Sequence, residues 1–330
     1  MLKLAVLASV AAAAEQSSWT ACPVGPAYSG WNVTSCPATQ SCSPNGFSAG
    51  GGWGCCPWPN GVACGNGFAC CPSGTTCSLI SGSSYSSVYN CTPASGGAAT
   101  TTSLCPCKPG APSPPDPARK NVLVIGDSLT IGYTPLLASE LADIAFVQHA
   151  PWDVSDGGAE EVAYFEQCLD NWLASPSGMP WTPDLIYFNS GMHNLATSGT
   201  PGHGTVPGQG GNASEYEAEL LRVTARLVSA AQASGGKTTL MYGLTTPWLC
   251  DASIDGVITG TLNTAAAAIM ASAGIWTVDM HGPIVEKCGQ APVTSCFGVS
   301  NCYCPHCPSG YGWLAQTIIA PAIRAALTAP

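Results

Sequence analysis

From residue 120 to the C-terminus, short apolar runs alternate with stretches in which apolar residues recur every three or four positions. Residues 121–125 (Asn-Val-Leu-Val-Ile) form a nearly continuous apolar run, the signature of a strand buried on both faces of a parallel sheet. Similar short runs at 145–148, 184–189, 238–243 and 276–279 predict four more strands. Between them, Val162, Phe165, Leu169 and Trp172 fall on one helical face, as do Tyr216, Leu220, Val223 and Leu227. Ser214 and Glu217 have the spacing of a capping box ahead of the second of these helices. Ile258, Leu262, Ala266 and Ile269 mark a third helix. A last one follows Gly312 through Leu314 and Ile318, with a bend expected at Pro321. Strict alternation of strand and helix predicts a flavodoxin-like three-layer α/β/α domain around a parallel five-stranded sheet. In such a domain ligands bind beyond the carboxyl ends of the strands.

Ahead of this domain the pattern changes. Met1, Leu2 and Lys3 precede an apolar run from Leu4 to Ala14, with Ala12 and Ala14 as a small-residue cleavage site. Residues 1–14 therefore read as a signal peptide, too short to span a bilayer, and the mature protein as secreted. Residues 15–91 hold Cys, Gly, Pro, Ser and Trp with little aliphatic content, so cross-links rather than a core must stabilise them. Residues 92–118 are rich in Pro, Gly, Ala and Thr and read as a semi-extended linker, in which Cys105 and Cys107 are candidates for tacking the middle down. The α/β domain is expected over 119–330.

Composition narrows the function. The 330-residue chain carries 19 cysteines, a load typical of exported proteins with disulfides. The odd number implies a free thiol or an intermolecular bridge. Its net charge is −10, with nine basic residues that nowhere cluster, which argues against a nucleic-acid partner. No later apolar stretch reads as an integral membrane segment. Sequons begin at Asn32, Asn90 and Asn212, so a glycoprotein is expected if the host pathway glycosylates.

The chemistry concentrates at the strand ends. Gly126-Asp127-Ser128-Leu129-Thr130 places a serine between the first strand and a helix N-terminus, where backbone N–H groups face any developing oxyanion. The turn Asp156-Gly157-Gly158-Ala159 follows the second strand, and Gly191-Met192-His193-Asn194 the third. His306 lies just ahead of the last helix, among Cys302, Cys304 and Cys307. The spacing Cys304-x-x-Cys307 with His306 also suits a metal, but export favours disulfides, and no metal or cofactor is expected. His203 and His281 look ordinary, and His149 is placed near the edge of the second strand, where it could line the pocket. Asp127 with Asp153 or Asp156 makes no convincing glycosidase pair.

Two family resemblances emerge from these motifs. Gly52-Trp53-Gly54-Cys55-Cys56-Pro57, Cys64 and Cys70-Cys71-Pro72-Ser73-Gly74-Thr75-Thr76-Cys77 resemble the granulin repeat, over about 36–77. That resemblance implies short β-hairpins stacked under a ladder of disulfides. The block around Ser128 resembles the first block of the SGNH (GDSL-like) hydrolases, and the later blocks follow that family in order. The resemblance implies an esterase with Ser128 as nucleophile and His306 as base. Gly158, or Gly157, would supply an oxyanion-hole N–H. His193 stands in the place of the family's oxyanion asparagine and Asn194 in that of its aspartate, as in a Gly-x-His-Asp/Asn variant; Asn194 is the alternative donor. The family's Asp-x-x-His departs here, because Tyr303 replaces the aspartate. The implied substrate is a carboxylic ester, with O-acetylated polysaccharide one candidate. A non-catalytic ligand- or glycan-binding protein on the same scaffold is the alternative that Tyr303 suggests.

Overall fold

The computed structural model describes residues 19–21, 35–37, 41–45, 52–56, 62–64, 69–71, 73–83, 86–93, 107–108, 110–151, 158–174, 182–195, 211–300, 302 and 305–329. The expected signal peptide, Gly157, Asp153, Asp156, His203, Tyr303 and Cys304 lie outside them.

Five strands form one sheet: β1 (Lys120–Ile125), β2 (Ala145–Ala150), β3 (Leu185–Phe188), β4 (Thr239–Gly243) and β5 (Trp276–Val278). They pair in the order β2-β1-β3-β4-β5, all parallel. The chain therefore reverses its winding between β2 and β3, so the switch point, where such sheets bind ligands, falls at the carboxyl ends of β1 and β3. Side chains alternate across β1. Val122 and Val124 pack with Leu129, Tyr133 and Leu137 of α1 (Ser128–Glu140), and Leu123 and Ile125 face the opposite side. That opposite layer is built by α2 (Val162–Trp172), α3 (Ala213–Ala233) and α5 (Thr264–Ala273), which present the expected apolar stripes. The α1 side is completed by α6 (Gly282–Cys288) and by the C-terminal run, through Ile284, Leu314, Ile319 and Ile323. The three-layer α/β/α architecture read from the periodicity is thus the one observed.

Local details differ from the sequence reading. The N-cap of α3 is Asn212, whose side chain accepts from the Ser214 N–H, two residues ahead of the expected Ser214 box. An Asx oxygen in extended backbone reaches the free N–H groups of the first turn, so the helix opens earlier. The third helix is one continuous run in which a wider, π-type turn (Ile258–Asn263) joins α4 (Ala252–Val257) to α5. Its 22 residues are long and apolar enough to cross a membrane by length and composition, yet Leu262, Ala266 and Ile269 pack into the core. The last helix comprises α7 (Pro308–Trp313), a π-type turn (Leu314–Ile319) and α8 (Ala320–Thr328), with Pro321 in the first turn of α8. Proline has no N–H to return to the preceding turn, so the irregularity falls ahead of it.

The N-terminal strands make antiparallel pairs, as the granulin resemblance implies. Trp19–Ala21 pairs with Ser35–Pro37, Ser41–Asn45 with Gly52–Cys56, Val62–Cys64 with Ala69–Cys71, and Thr75–Ser83 with Ser86–Pro93. Cys71 and Cys77 are disulfide-bonded. In the α/β domain three bridges are described: Cys107–Cys168, Cys250–Cys302 and Cys288–Cys296.

Candidate active site

At the carboxyl end of β1 the chain turns into α1 through Asp127, the helix N-cap, whose buried carboxylate accepts from the Leu129 N–H. Ser128 is the first helical residue and is exposed, in contrast to its buried neighbours Asp127, Leu129 and Thr130. Its backbone N–H belongs to the first turn, which has no intrahelical acceptor. Burial pushes the Asp127 carboxyl up, opposed by the charge of His193 and the Leu129 N–H. Among the described residues its second oxygen, Oδ2, has no hydrogen-bond partner.

Gly158 lies against this turn. It forms an isolated antiparallel bridge with Asp127, and the next N–H, of Ala159, donates to Gly126 O at 2.8 Å. Gly158 has φ of +57°, and a Cβ there would stand 2.5 Å from Gly126 O and 2.9 Å from the Asp127 carbonyl carbon. Any side chain would push the turn off β1, so glycine is what lets this backbone approach the serine. The adjoining Glu160 is also left-handed, with φ of +52°, an uncommon state for a residue with a Cβ.

His193 sits in a short 3₁₀ turn (Met192–Asn194) that follows β3. Its Nδ1 is 3.0 Å from Glu160 Oε2, and the other carboxylate oxygen, Oε1, is 2.6 Å from Lys108 Nζ. Lys108 also donates to Gly158 O at 3.1 Å. Burial would raise the Glu160 carboxyl, but the Lys108 ammonium and the His193 ring outweigh it and hold it at about 2. Burial opposes charge on His193 in turn. The Glu160 carboxylate, helped by Asp127 and Glu161, overcomes this and pushes the imidazole up to about 9. Asn194 is committed elsewhere. Its side-chain oxygen accepts from Val162 N at the start of α2, and its amide lies against Gly211 and Asn212 O.

His306 arrives from the opposite layer. The loop that carries it is stapled to the segment after β4 by Cys250–Cys302, and Cys307 is also disulfide-bonded. Five residues on, the Tyr311 ring lies across Gly132, leaving no room for a Cβ there. Gly132 is one turn beyond Ser128 on α1, so this close packing brings the His306 loop to the nucleophile's side of the helix. Among the described residues, the hydrogen-bond partner of His306 is Thr246, whose Oγ1 is 3.1 Å from Nε2. Trp248 packs edge-on against the ring, with centroids 6.1 Å apart. Burial and the positive charge of His193 push His306 down to about 4, so it is neutral at pH 7. No hydrogen bond among the described residues joins Ser128 to His306.

The two remaining described histidines have structural partners. His149, near the end of β2 as the sequence indicates, is buried between Thr130 Oγ1, at 2.5 Å, and Pro151 O, at 2.6 Å. His281 is 3.0 Å from Asp255 Oδ1, which also accepts from the Trp248 N–H. Among the described residues no group of three His, Cys, Asp or Glu side chains is placed to hold a metal.

Sequence reasoning missed Lys108, Glu160 and Thr246. Glu160 directly follows the Gly157-Gly158-Ala159 turn, which was a usable signal. Lys108 stood in a Pro-rich segment read as linker, and its only mark was the preceding Cys107.

Comparison with known proteins yields likenesses to both parts of the chain. Residues 47–84 match the family model for granulin, starting and ending later than the stretch read from the cysteines. No curated protein matches the chain. Among solved structures, an acetyl xylan esterase has 15% identity and a TM-score of 0.42, over 59% of this chain and 96% of that one. A GDSL-like lipase from Bacteroides thetaiotaomicron has 16% identity and a TM-score of 0.40, over 64% and 90%. A lipase/acylhydrolase from Enterococcus faecalis has 14% identity and a TM-score of 0.39, over 63% and 96%.

Proposed function

We propose that the chain is a secreted serine esterase that hydrolyses carboxylic esters, with Ser128 as nucleophile and His306 as general base. The observation that carries this reading is the pairing of opposite electrostatics around one exposed serine. A neutral histidine comes from the loop whose Tyr311 packs on α1 at Gly132, and a histidine kept positive by Glu160 comes from beside the Gly158 turn that bridges Asp127. Acyl transfer needs both: a base able to take a proton and a donor that meets negative charge.

In the proposed reaction, Ser128 Oγ attacks the ester carbonyl as His306 takes its proton. The N–H groups of Ser128 and Gly158 and the His193 ring stabilise the tetrahedral oxyanion. His306 then protonates the departing alcohol, which leaves an acyl-enzyme. Water attacks next, again giving a proton to His306, and the acid is released as Ser128 recovers its proton. Asn194 contributes by capping α2 and so fixing the turn that carries His193. The secretory setting is supported by the granulin match and the disulfides. In that setting an O-acetylated polysaccharide is a suitable ester to assay first.

A second reading, a ligand-binding protein that retains the pocket without turnover, is favoured by one observation: Nε2 of His306 faces Thr246 rather than Ser128. A fluorophosphonate probe on the purified full chain decides between them. Labelling that disappears in Ser128→Ala is the expected result. Absence of labelling in the oxidised native protein would establish the binding reading.

A further inference from the structure

Lys108 lies well ahead of β1, yet its side chain is only 2% exposed. Its backbone is clamped from three sides: the N–H donates to Tyr164 Oη at 2.8 Å, and the carbonyl accepts from Asn171 Nδ2 and Trp172 Nε1. The preceding Cys107 is bridged to Cys168, and both sulfur-bearing side chains are fully buried. All four anchors belong to α2, so the segment is fastened to the helix that starts beside the Gly158 turn. From there the ammonium reaches Gly158 O and Glu160 Oε1, and Glu160 Oε2 reaches His193 Nδ1. One chain of contacts thus touches both oxyanion donors that the esterase reading assigns outside α1.

A buried carboxylate that meets a cation at each oxygen is stable only while both remain charged and in place. With Nδ1–H given to Glu160, His193 keeps Nε2–H as its remaining donor, and a charged donor binds an oxyanion more strongly than a neutral amide does. The left-handed backbone of Glu160 is a local cost, and conformations of this kind persist where surrounding contacts over-determine them.

We propose that Lys108 and Glu160 are positioning residues of the oxyanion hole: together they hold His193 as a charged donor and fix the Gly158 turn through its carbonyl. The assignment rests on the esterase reading. It also explains the state of the base. The charge Glu160 maintains on His193 is one of the two causes that keep His306 neutral. The groups that face His193 are Glu160 and Glu161 ahead of α2, Asp127 at the end of β1, and His306 from the C-terminal loop.

The test is an NMR pH titration of the histidine rings in the full oxidised chain, native and Glu160→Gln, beside hydrolysis of p-nitrophenyl acetate. His193→Gln and His306→Gln variants assign the resonances. The native protein should titrate His193 near 9 and His306 near 4. In Glu160→Gln, His193 should fall by about one unit or more while His306 rises. A residue that only supported the fold would not move the two in opposite directions. The kcat should fall about tenfold or more with little change in KM, and Glu160→Asp should recover part of it. Native protein that hydrolyses the ester while His193 titrates near its ordinary 6.5 overturns the inference and leaves the esterase standing. Titrations unmoved by Glu160→Gln overturn it equally. Native protein without turnover or labelling overturns the esterase reading itself.

Discussion

His193 and His306 are the same side chain in two electrostatic settings, and the proposed catalysis depends on the difference between them. His193 has a carboxylate on Nδ1, and among the described residues His306 has a neutral hydroxyl on Nε2. The catalytic reading needs His306 unprotonated and His193 protonated, which fixes the sign of each pH limb. Raising the pH through about 4 frees the base and increases kcat/KM; raising it through about 9 discharges His193 and lowers kcat/KM. A broad plateau between those values is expected from initial rates with an uncharged ester. A single limb centred near 6.5 would mean that the base titrates as an ordinary histidine. Ser128, His193 and His306 were all legible from motif order. Their charge states were not, because Glu160 and Lys108 act from a turn and a segment that no motif covers.

Elements matter here mainly through how they are fastened. β1 and α1 were predictable because a buried strand followed by Gly126-Asp127-Ser128 has few other solutions. The fastening of Cys107 to α2 was not predictable, since a Pro-rich stretch reads as extended chain wherever it lies. Cys107–Cys168 closes a loop of 61 residues around β1, α1 and β2. In the chain-entropy model such a bridge stabilises the fold by about 4 kcal/mol. The double variant Cys107→Ser, Cys168→Ser is therefore expected to lose about that much unfolding free energy and so to unfold at lower denaturant. It should also lose ester hydrolysis while folded, because Lys108 is released from Gly158 and Glu160. Full activity in the folded variant would show that the other clamps on Lys108 suffice.

Over the whole molecule the two parts have different sources of stability. The α/β domain has a continuous core on each face of its sheet, and the N-terminal hairpins follow cysteine spacing. Because the site is assembled from residues 107 onward, cleavage of the full chain at an engineered protease site between Thr100 and Thr101 should leave turnover of a small ester unchanged. A loss on cleavage would mean that the hairpins contribute to the site. Retained small-ester turnover with lost turnover of an acetylated polysaccharide would assign them to substrate capture.

What the sequence determined by itself is the part governed by local pattern. Apolar periodicity set five parallel strands and their covering helices, the granulin-like cysteine motif implied the hairpins, and the resemblance of the blocks at Ser128, Gly158, His193 and His306 to a known family named the candidate site. These signals are local because strand alternation, helical stripes and turn chemistry each act within a few residues. The tertiary structure decided what depends on distant groups meeting in low dielectric. It decided that Lys108 reaches Glu160, that Glu160 reaches His193, and that Thr246 meets His306 at Nε2. Charge states at the site follow from burial and from pairing across elements, and neither is written in the order of residues along the chain.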